Sequence, residues 1–255
     1  MWAELNDIIT STKNDFVKMA KSLSAKKVRI ENKAFLVEGG KCVAELIAHM
    51  PHLIKSLIVT EGQHGDIANY AKENNIDLYT VKEHVMNAIS DCKTSQGVLA
   101  IASLIGNTKP SGGFILALDD VADPQNVGTM IRTADAAGCA GVVLSQSSAD
   151  VLSPKAIRAS MGSVFHLPIL KTDVSEYLSS LVNGGYRIAV SHMSGQSEYS
   201  YDFSKTCLVI GNEARGVSPE ITALATDHIS IPMYGKAESL NAAVAAGILI
   251  YKLRS

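Results

Sequence analysis

Short apolar runs alternate with longer amphipathic segments along the second half of the chain. The apolar runs are FILALD (114–119), GVVLS (141–145), HLPIL (166–170), RIAVS (187–191), TCLVI (206–210) and HISI (228–231). Helical spacing predicts helices over 126–137, 154–161, 173–183 and 218–225, with a closing helix near 239–253. Strands that are apolar along their whole length are buried on both faces, as in a parallel sheet between layers of helices. The pattern therefore predicts an α/β domain over 114–255.

The first hundred residues predict a smaller α/β domain. NDFVKMAKSLS has helical spacing, with apolar residues on one side and lysines on the other. Strands are predicted at AFLVEG, SLIVT, DLYTV and QGVLAIASL, and helices at KCVAELIAHM and DIANYAKENN. The segment IGNTKPSGG (105–113) has no apolar periodicity and is the best boundary in the chain. We therefore expect a first domain over 1–104 and a linker over 105–113, although a surface loop within one domain is the alternative.

Composition excludes several classes of protein. The 255 residues are 47% hydrophobic with a net charge of −2, which indicates a globular chain with a large core. The four cysteines are far apart, which favours reduced, buried thiols and a cytoplasmic protein. His49 and His52 are interrupted by Pro51, so no metal site is predicted. No apolar run is long enough to cross a membrane, and none follows a basic start as in an export signal.

Three polar segments follow predicted strands, where ligands bind in doubly wound sheets. The first, LDDVADPQNVGTMIRTADAAG (118–138), contains Asn126 and Arg132. The third, IPMYGKAESLNAAVAAGILIYKL (231–253), leads through Ser239 and Asn241 into a helix of small residues. From spacing alone, Arg132 could equally be a solvated surface residue, and the last helix a tightly packed core helix.

The second polar segment, VIGNEARGVSPE (209–220), has two glycines spaced as in a phosphate-binding loop. Val217-Ser218 stands where that loop needs Lys-Ser/Thr, and Glu213 would repel phosphate, so nucleotide triphosphates are not expected here. A carboxylate beside backbone amides suits a ligand with a cationic centre or hydrogen-bond donors. The alternative is a surface ion pair of Glu213 with Arg215 on an ordinary loop.

Together these segments resemble the SpoU (TrmH) family of RNA 2′-O-ribose methyltransferases, within the SPOUT superfamily. Three ordered motifs carry the resemblance: DPQNVGTMIRTADAAG, VIGNEARGV and IPMYGKAESLNAAVAAG. KAIRASMGSVFHLPI (155–169) is similar to the RxSxG segment of the family, and the N-terminal half to its L30e-like RNA-binding domain. The resemblance implies a C-terminal domain with a deep trefoil knot, a homodimer formed through that domain, and S-adenosylmethionine (AdoMet) as the methyl donor.

The resemblance also implies roles for individual residues. The expected cofactor-binding residues are Gly211, Asn212, Glu213, Gly216, Ile231, Met233, Ser239 and Leu240. The expected catalytic residues are Asn126, Arg132, Glu213, Ser239 and Asn241. Because arginine stays protonated, we expect Arg132 to hold a phosphate or the developing alkoxide, with Ser239 and Asn241 aligning the ribose. Glu213 either faces the cationic sulfur or orients Asn126 and the loop.

RNA is the expected partner, and ribosomal RNA is favoured over transfer RNA because an L30e-like domain precedes the methyltransferase domain. The expected RNA-contacting residues are Lys13, Lys26, Lys27 and Arg29 in a basic N-terminal segment, together with Arg158 and Ser160. Arg158 and Ser160 could instead complete the site across a dimer, and the basic segment could be merely solvated. Two further alternatives are an RNA-binding protein without catalysis and an enzyme that methylates a base nitrogen.

Overall fold

A computed structural model describes residues 8–197 and 203–254. The chain divides by its contacts into two compact units. The first consists of residues 1–105 with 152–165, and the second of residues 106–151 with 166–255. Residues 1–7 of the expected first domain, as well as 198–202 and 255, lie outside the described residues. No helix among the described residues is long and apolar enough to span a membrane.

The first unit is built on a mixed four-stranded sheet. Its helices are α1 (Asp15–Ser22), α2 (Lys26–Asn32), α3 (Gly40–His49), α4 (Gly65–Glu73) and α5 (Glu83–Ile89), and its strands are β1 (Ala34–Glu38), β2 (Ile54–Thr60), β3 (Asp77–Val81) and β4 (Val98–Ser103). The strand order is β1-β4-β2-β3, with β4 antiparallel to both neighbours and β2 parallel to β3. Leu36, Ile58 and Leu99 join three of these strands in one buried core.

The second unit contains a six-stranded parallel sheet, as the apolar runs predicted. Its strands are β5 (Ile115–Leu118), β6 (Gly141–Leu144), β7 (Ile169–Lys171), β8 (Arg187–Gln196), β9 (Thr206–Ile210) and β10 (Asp227–Ile229), and its helices are α6 (Pro124–Ala136), α8 (Val174–Asn183), α9 (Pro219–Thr222) and α10 (Ala242–Arg254). Every pairing in the order β10-β8-β9-β5-β6-β7 is parallel. β5 and β9 are buried along their whole length, which explains their uniformly apolar sequences.

Chain order places a topological switch point beside β5. The chain runs outward from β5 through β6 and β7, and then crosses to build β8, β9 and β10 on the other side. Open parallel sheets bind ligands beyond the carboxyl ends of the strands at such a point. The segments after β5 and β9 therefore meet at the edge where a ligand is expected.

Several element boundaries differ from the sequence predictions. β7 begins at Ile169 rather than 166, because Pro168 has no N–H to donate to a neighbouring strand. β8 continues to Gln196 through polar residues, because it pairs with Ile229 of β10 beyond an irregularity. Two short helices, α2 and α5, are not predicted by the apolar pattern. α9 ends at Thr222, and Thr226 then donates its backbone N–H to Ile188 ahead of β10.

One segment from the later half of the sequence belongs to the first unit. Residues 152–165 include helix α7 (Pro154–Ser160). By their contacts they belong to the first unit, although the strands before and after them in sequence, β6 and β7, belong to the second. α7 packs against β1, and Ser153 caps it by accepting a hydrogen bond from the backbone N–H of Ala156 at 3.3 Å. The RxSxG segment is therefore part of the core of the first unit.

Candidate active site

The segment after β5 and the loop after β9 are joined by hydrogen bonds at the carboxyl edge of the sheet. Asp119, 7% exposed, donates its backbone N–H to the carbonyl of Ile210 at 2.8 Å. Its carboxylate accepts the backbone N–H of Ser218 at 2.7 Å. One aspartate at the end of β5 thus contacts the residue before the loop and the residue at its far end, so the 211–218 loop has a fixed base.

The 211–218 loop closes on itself through backbone contacts. Asn212 and Gly216 exchange two backbone hydrogen bonds, of 3.0 and 2.9 Å. A Cβ atom on Gly211 would lie 2.2 Å from the backbone of Gly216 and Val217, so only glycine fits where the two ends of the loop meet. Gly216 has φ +70°, a conformation that favours glycine. The two glycines serve the shape of the loop, and this explains their spacing without a phosphate.

The carboxylate of Glu213 is turned toward the start of α6. It accepts the side-chain N–H of Asn126 at 2.9 Å and the backbone N–H groups of Ala122 and Asp123 at 3.2 and 3.3 Å. Burial favours a higher pKa for Glu213, but these hydrogen bonds outweigh it and lower the pKa below the ordinary value. The carboxylate is therefore charged near neutral pH, and it braces Asn126 and the chain entering α6.

Asn126 connects Glu213 to the last helix. It is 7% exposed, and its side-chain carbonyl accepts an N–H from Asn241 at 3.0 Å while its amide donates to Glu213. The carbonyl of Asn241 in turn accepts the backbone N–H groups of Ala243 and Val244 at 2.9 and 3.2 Å, which caps α10. The three predicted residues thus link the three motifs by hydrogen bonds, and one amide hydrogen of Asn241 has no acceptor among the described residues.

Two predicted catalytic residues take no part in the hydrogen bonds that link Glu213, Asn126 and Asn241. Neither Arg132 nor Ser239 makes a hydrogen bond or ion pair with any described residue, and both are exposed. Six positions separate Arg132 from Asn126 on α6, so the two side chains point about 120° apart around the helix axis. Arg132 therefore faces solvent within one chain and is free to contact a ligand or a second molecule.

The segment leading into α10 offers a donor set that fits AdoMet. Across the described residues, the backbone groups of 231–240 make no hydrogen bond, while Ile231, Met233 and Leu240 are partly or well exposed apolar side chains. Unused N–H and C=O groups beside apolar side chains suit an adenine ring, which has both flat apolar faces and polar edges. The predicted residues on the 231–240 segment therefore fit the cofactor through backbone groups, whereas Asn212 and Gly216 use their backbone N–H groups within the loop.

Sequence reasoning missed the end of β8 and the residues after β5. Gly195 lies so close to β10 that a Cβ atom there would be 2.6 Å from the backbone of His228, and Ser230 donates its hydroxyl to the carbonyl of Gly195 at 2.8 Å. Asp119 and Asp120 lie in the first polar segment, but its pattern does not single them out. The glycine within a polar strand end was the available signal for β8, and the adjacent aspartates directly after a buried strand were the signal for β5.

Arg158 is engaged with acidic residues within the first unit. Its guanidinium donates to the buried Glu38 at 3.2 Å and to Asp91 at 2.7 Å. Although burial opposes the charged form, the hydrogen bond with Asp91 and the two negative charges raise the pKa of Arg158. Ser160 is fully buried and donates to the carbonyl of Ile157 at 2.8 Å. We correct the RNA-contacting assignment of Ser160, which is fully buried, whereas that of Arg158, whose side chain is 28% exposed, stays an expectation.

The basic N-terminal residues divide into two groups. Lys13, Lys26 and Lys27 are exposed. Arg29, by contrast, is 3% exposed and donates to the carbonyls of Leu23 and Ser24 at 2.8 and 2.6 Å, where it holds the turn between α1 and α2. The expectation that Arg29 contacts RNA is therefore wrong, and the same expectation for the three lysines stays a prediction.

Two family models match the two halves of the chain. The model described as the SpoU rRNA Methylase family matches residues 113–251, and the model described as the MRM3-like substrate binding domain matches residues 14–100. The first matched range covers all three ordered motifs, and the second covers the mixed sheet up to the first half of β4.

Relatives of the whole chain agree with these matches. The chain is 34% identical to 23S rRNA (guanosine(2553)-2′-O)-methyltransferase RlmP of Bacillus subtilis over 96% of this chain and 98% of the relative. It is similar to the AdoMet-bound rRNA methyltransferase of Sinorhizobium meliloti, with a TM-score of 0.84, 31% identity and 96% of each chain covered. It is also similar to the SpoU methyltransferase AviRb of Streptomyces viridochromogenes in complex with AdoMet, with a TM-score of 0.81, 25% identity and 94% and 97% of the two chains covered. The protein therefore belongs to the SpoU rRNA methylase family.

Proposed function

We propose that this protein is an AdoMet-dependent methyltransferase that modifies a ribose 2′-hydroxyl of ribosomal RNA. The observation that carries the proposal is the series of hydrogen bonds from Glu213 through Asn126 to Asn241, which joins the second and third family motifs through the first. Family membership and AdoMet-bound relatives support the cofactor, and the named activity of the Bacillus relative supports the substrate class.

The cofactor would be held between the 211–218 loop and the 231–240 segment. Gly211 would contribute backbone groups from the loop, and Asn212 and Gly216, which are bonded to each other through their backbones, would border the pocket. Ile231, Met233, Ser239 and Leu240 would contribute backbone groups and apolar contact from the segment, and the end of β8 would add a third wall. AdoMet, when bound, supplies a methyl group on a cationic sulfur. Glu213 would support the site without contacting the cofactor, because its carboxylate already accepts three N–H groups of the protein.

The protein's own contribution to the reaction is orientation and charge stabilisation. A ribose hydroxyl is a weak nucleophile, so its oxygen must be held in line with the methyl group. Ser239, with an exposed hydroxyl, and the free amide hydrogen of Asn241 would align the ribose. Arg132 would hold the neighbouring phosphate or the developing alkoxide through two parallel N–H groups. The guanidinium remains protonated throughout, so Arg132 is not the base, and the proton of the ribose hydroxyl would leave to solvent water as the oxygen takes the methyl group.

We propose that the protein acts as a homodimer through its C-terminal domain. Val244, Ile248 and Tyr251 are 51%, 41% and 52% exposed, and their spacing places them on one face of α10. An exposed apolar stripe on an otherwise well-packed helix is typical of a protein interface. Because Arg132 makes no hydrogen bond to Asn126, Glu213 or Asn241 within one chain, we further propose that the second subunit brings Arg132 to the site.

We also propose that the C-terminal segment forms the trefoil knot of the family. The support is the close packing of α10 against α6 and the bond between Asn241 and Asn126, which hold the last segment against the first motif. Arg254 further donates to the carbonyl of Ala137 at the end of α6 and lies over the ring of Phe203, 5.0 Å from its centroid. These contacts would hold a threaded segment in place.

The first unit is proposed to bind the ribosomal RNA. The family model for its residues describes a substrate-binding domain, and Lys13, Lys26 and Lys27 leave positive charge on its surface. Modification of ribosomal RNA would take place in the cytoplasm.

The experiment that tests this function is a map of 2′-O-methyl groups in total RNA from cells with and without the gene. We expect one ribosomal RNA position to lose its methyl group, and the guanosine named for the Bacillus relative is the first position to inspect. Loss of a transfer RNA methyl group would contradict the substrate class. An unchanged map would contradict the activity.

A further inference from the structure

Asp120 holds an unusual backbone conformation beside the 211–218 loop. Its φ of +59° lies in the left-handed region, where a residue other than glycine is strained unless its surroundings hold it there. Its backbone N–H donates to the hydroxyl of Ser145 at 2.9 Å. Its carbonyl accepts the side-chain N–H of Asn212 at 2.8 Å. Both backbone polar groups of Asp120 are therefore used, one toward β6 and one toward the loop.

The side chain of Asp120 also points to the loop. Its carboxylate pairs with the guanidinium of Arg215, whose side chain is 73% exposed against 29% for the aspartate. Such an exposed pair contributes little to global stability. Its effect is local, because Arg215 lies at the tip of the loop and Asp120 lies two residues after β5, where both of its backbone polar groups are hydrogen-bonded.

The loop tip has few other ties to the domain. Within the loop, the side-chain carbonyl of Asn212 accepts the backbone N–H groups of Ala214 and Arg215 at 3.0 and 3.1 Å. Glu213 ties the near side of the loop to α6, while Gly216 has open space where a side chain would be. The tip, Ala214–Gly216, is therefore shaped by hydrogen bonds to Asn212 within the loop. The Arg215–Asp120 pair connects it to the rest of the domain.

From these contacts we infer that Asp120 and Arg215 are positioning residues that hold the 211–218 loop in its cofactor-binding shape. The inference rests on the proposed function, since it takes the loop as one wall of the AdoMet site. Asp120 supplies the shape through its left-handed backbone and its bond to Asn212. The ion pair then fixes the tip, so that the backbone groups of the loop are presented before the cofactor arrives.

The test is a double-mutant cycle on AdoMet affinity, with Asp120→Asn, Arg215→Ala and the double variant. Asparagine tolerates the left-handed conformation, so Asp120→Asn removes the charge and keeps the backbone. We expect each single variant to raise the Kd for AdoMet about fivefold, and the double variant to bind no more weakly than either single one. In the absence of AdoMet, hydrogen exchange at the amides of 213–216 should quicken in all three variants.

Two further variants separate positioning from folding. Asp120→Gly removes the carboxylate and relieves the left-handed strain, so its melting temperature should equal or exceed that of the wild type while its AdoMet affinity falls. Arg187→Ala breaks a comparable pair with Asp227 at the amino ends of β8 and β10, opposite the site, and should leave the Kd unchanged.

The outcomes distinguish the two claims. Failure of the wild-type protein to bind AdoMet in calorimetry would overturn the proposed function itself. Normal wild-type binding, with unchanged affinity in Asp120→Asn and Arg215→Ala, would overturn only the positioning role. A parallel fall of affinity and melting temperature in Asp120→Gly would also overturn it, because a merely structural role predicts that result.

Discussion

The side chain of Asn241 performs two tasks, because its amide donates to Asn126 at 3.0 Å while its carbonyl caps α10. The hydrogen bond from the side-chain amide joins the third motif to the first, and the cap fixes where the last helix begins. A residue that the sequence suggested for aligning the ribose thus also holds two elements of the site together.

Replacing Asn241 can separate these tasks. Asn241→Ala should lower the free energy of unfolding by about 1–3 kcal/mol, because it removes a helix cap and leaves the buried carbonyl of Asn126 without its donor. Asn241→Ser keeps a capping oxygen without the amide, and should recover part of the stability but not the turnover. Urea denaturation and single-turnover assays measure the two effects. Equal recovery of both would show that the bond to Asn126 has no role in catalysis.

Arg132 is expected to contribute to turnover and not to folding, because it makes no hydrogen bond to a described residue. Arg132→Ala should lower kcat by about 100-fold or more, since a charged donor at the reacting oxygen or phosphate is lost. AdoMet affinity and melting temperature should stay at the wild-type values. Arg132→Lys keeps the charge without the paired N–H geometry, and should be intermediate. Retained activity in the alanine variant would exclude Arg132 from the site.

Glu213 predicts a pH dependence of stability. Its pKa is lowered from an ordinary value of 4.5, so the charged carboxylate stabilises the fold above that value, and the contribution is lost as the pH falls through the lowered pKa. Glu213→Gln should therefore be less stable than the wild type at pH 7, and the difference should shrink below about pH 4.5. Urea denaturation across this range measures both proteins. A difference that does not change with pH would show that the charge of Glu213 is unimportant.

The exposed face of α10 predicts the oligomeric state. Ile248→Asp places a charge in the apolar stripe, and should convert a dimer to a monomer with loss of turnover. The matched control is Ile30→Asp, which alters an apolar residue of the first unit that is 58% exposed and should leave the dimer intact. Sedimentation velocity distinguishes the species. A wild-type monomer, or an Ile248→Asp dimer, would contradict the proposed interface.

The sequence predicted the parallel sheet well, because its strands are buried on both faces and therefore apolar throughout, as in β5 and β9. It did not predict the polar end of β8. That end is held by long-range pairing with β10 and not by a local pattern. The position of α7 was also beyond local pattern, since its contacts with β1 come from residues more than a hundred positions away.

Within the site, the motifs identified the residues but not their partners. The sequence allowed Glu213 either to face a cation or to orient Asn126 and the loop. The three N–H groups that its carboxylate accepts favour the second role. Arg29 and Arg158 carried the right charge for RNA, yet both guanidinium groups are used inside the first unit. A sequence shows which side chains are charged, but the groups that pair with them are known only from the folded structure.

The most direct test of the central claim is methyl transfer by the purified protein from isotopically labelled AdoMet to ribosomal RNA, followed by digestion and mass spectrometry of the nucleosides. We predict one labelled 2′-O-methyl nucleoside, absent when Arg132→Ala replaces the wild-type protein and absent when the target ribose is a 2′-deoxyribose. Label on a base, or no transfer by a wild-type protein that binds AdoMet, would contradict the account.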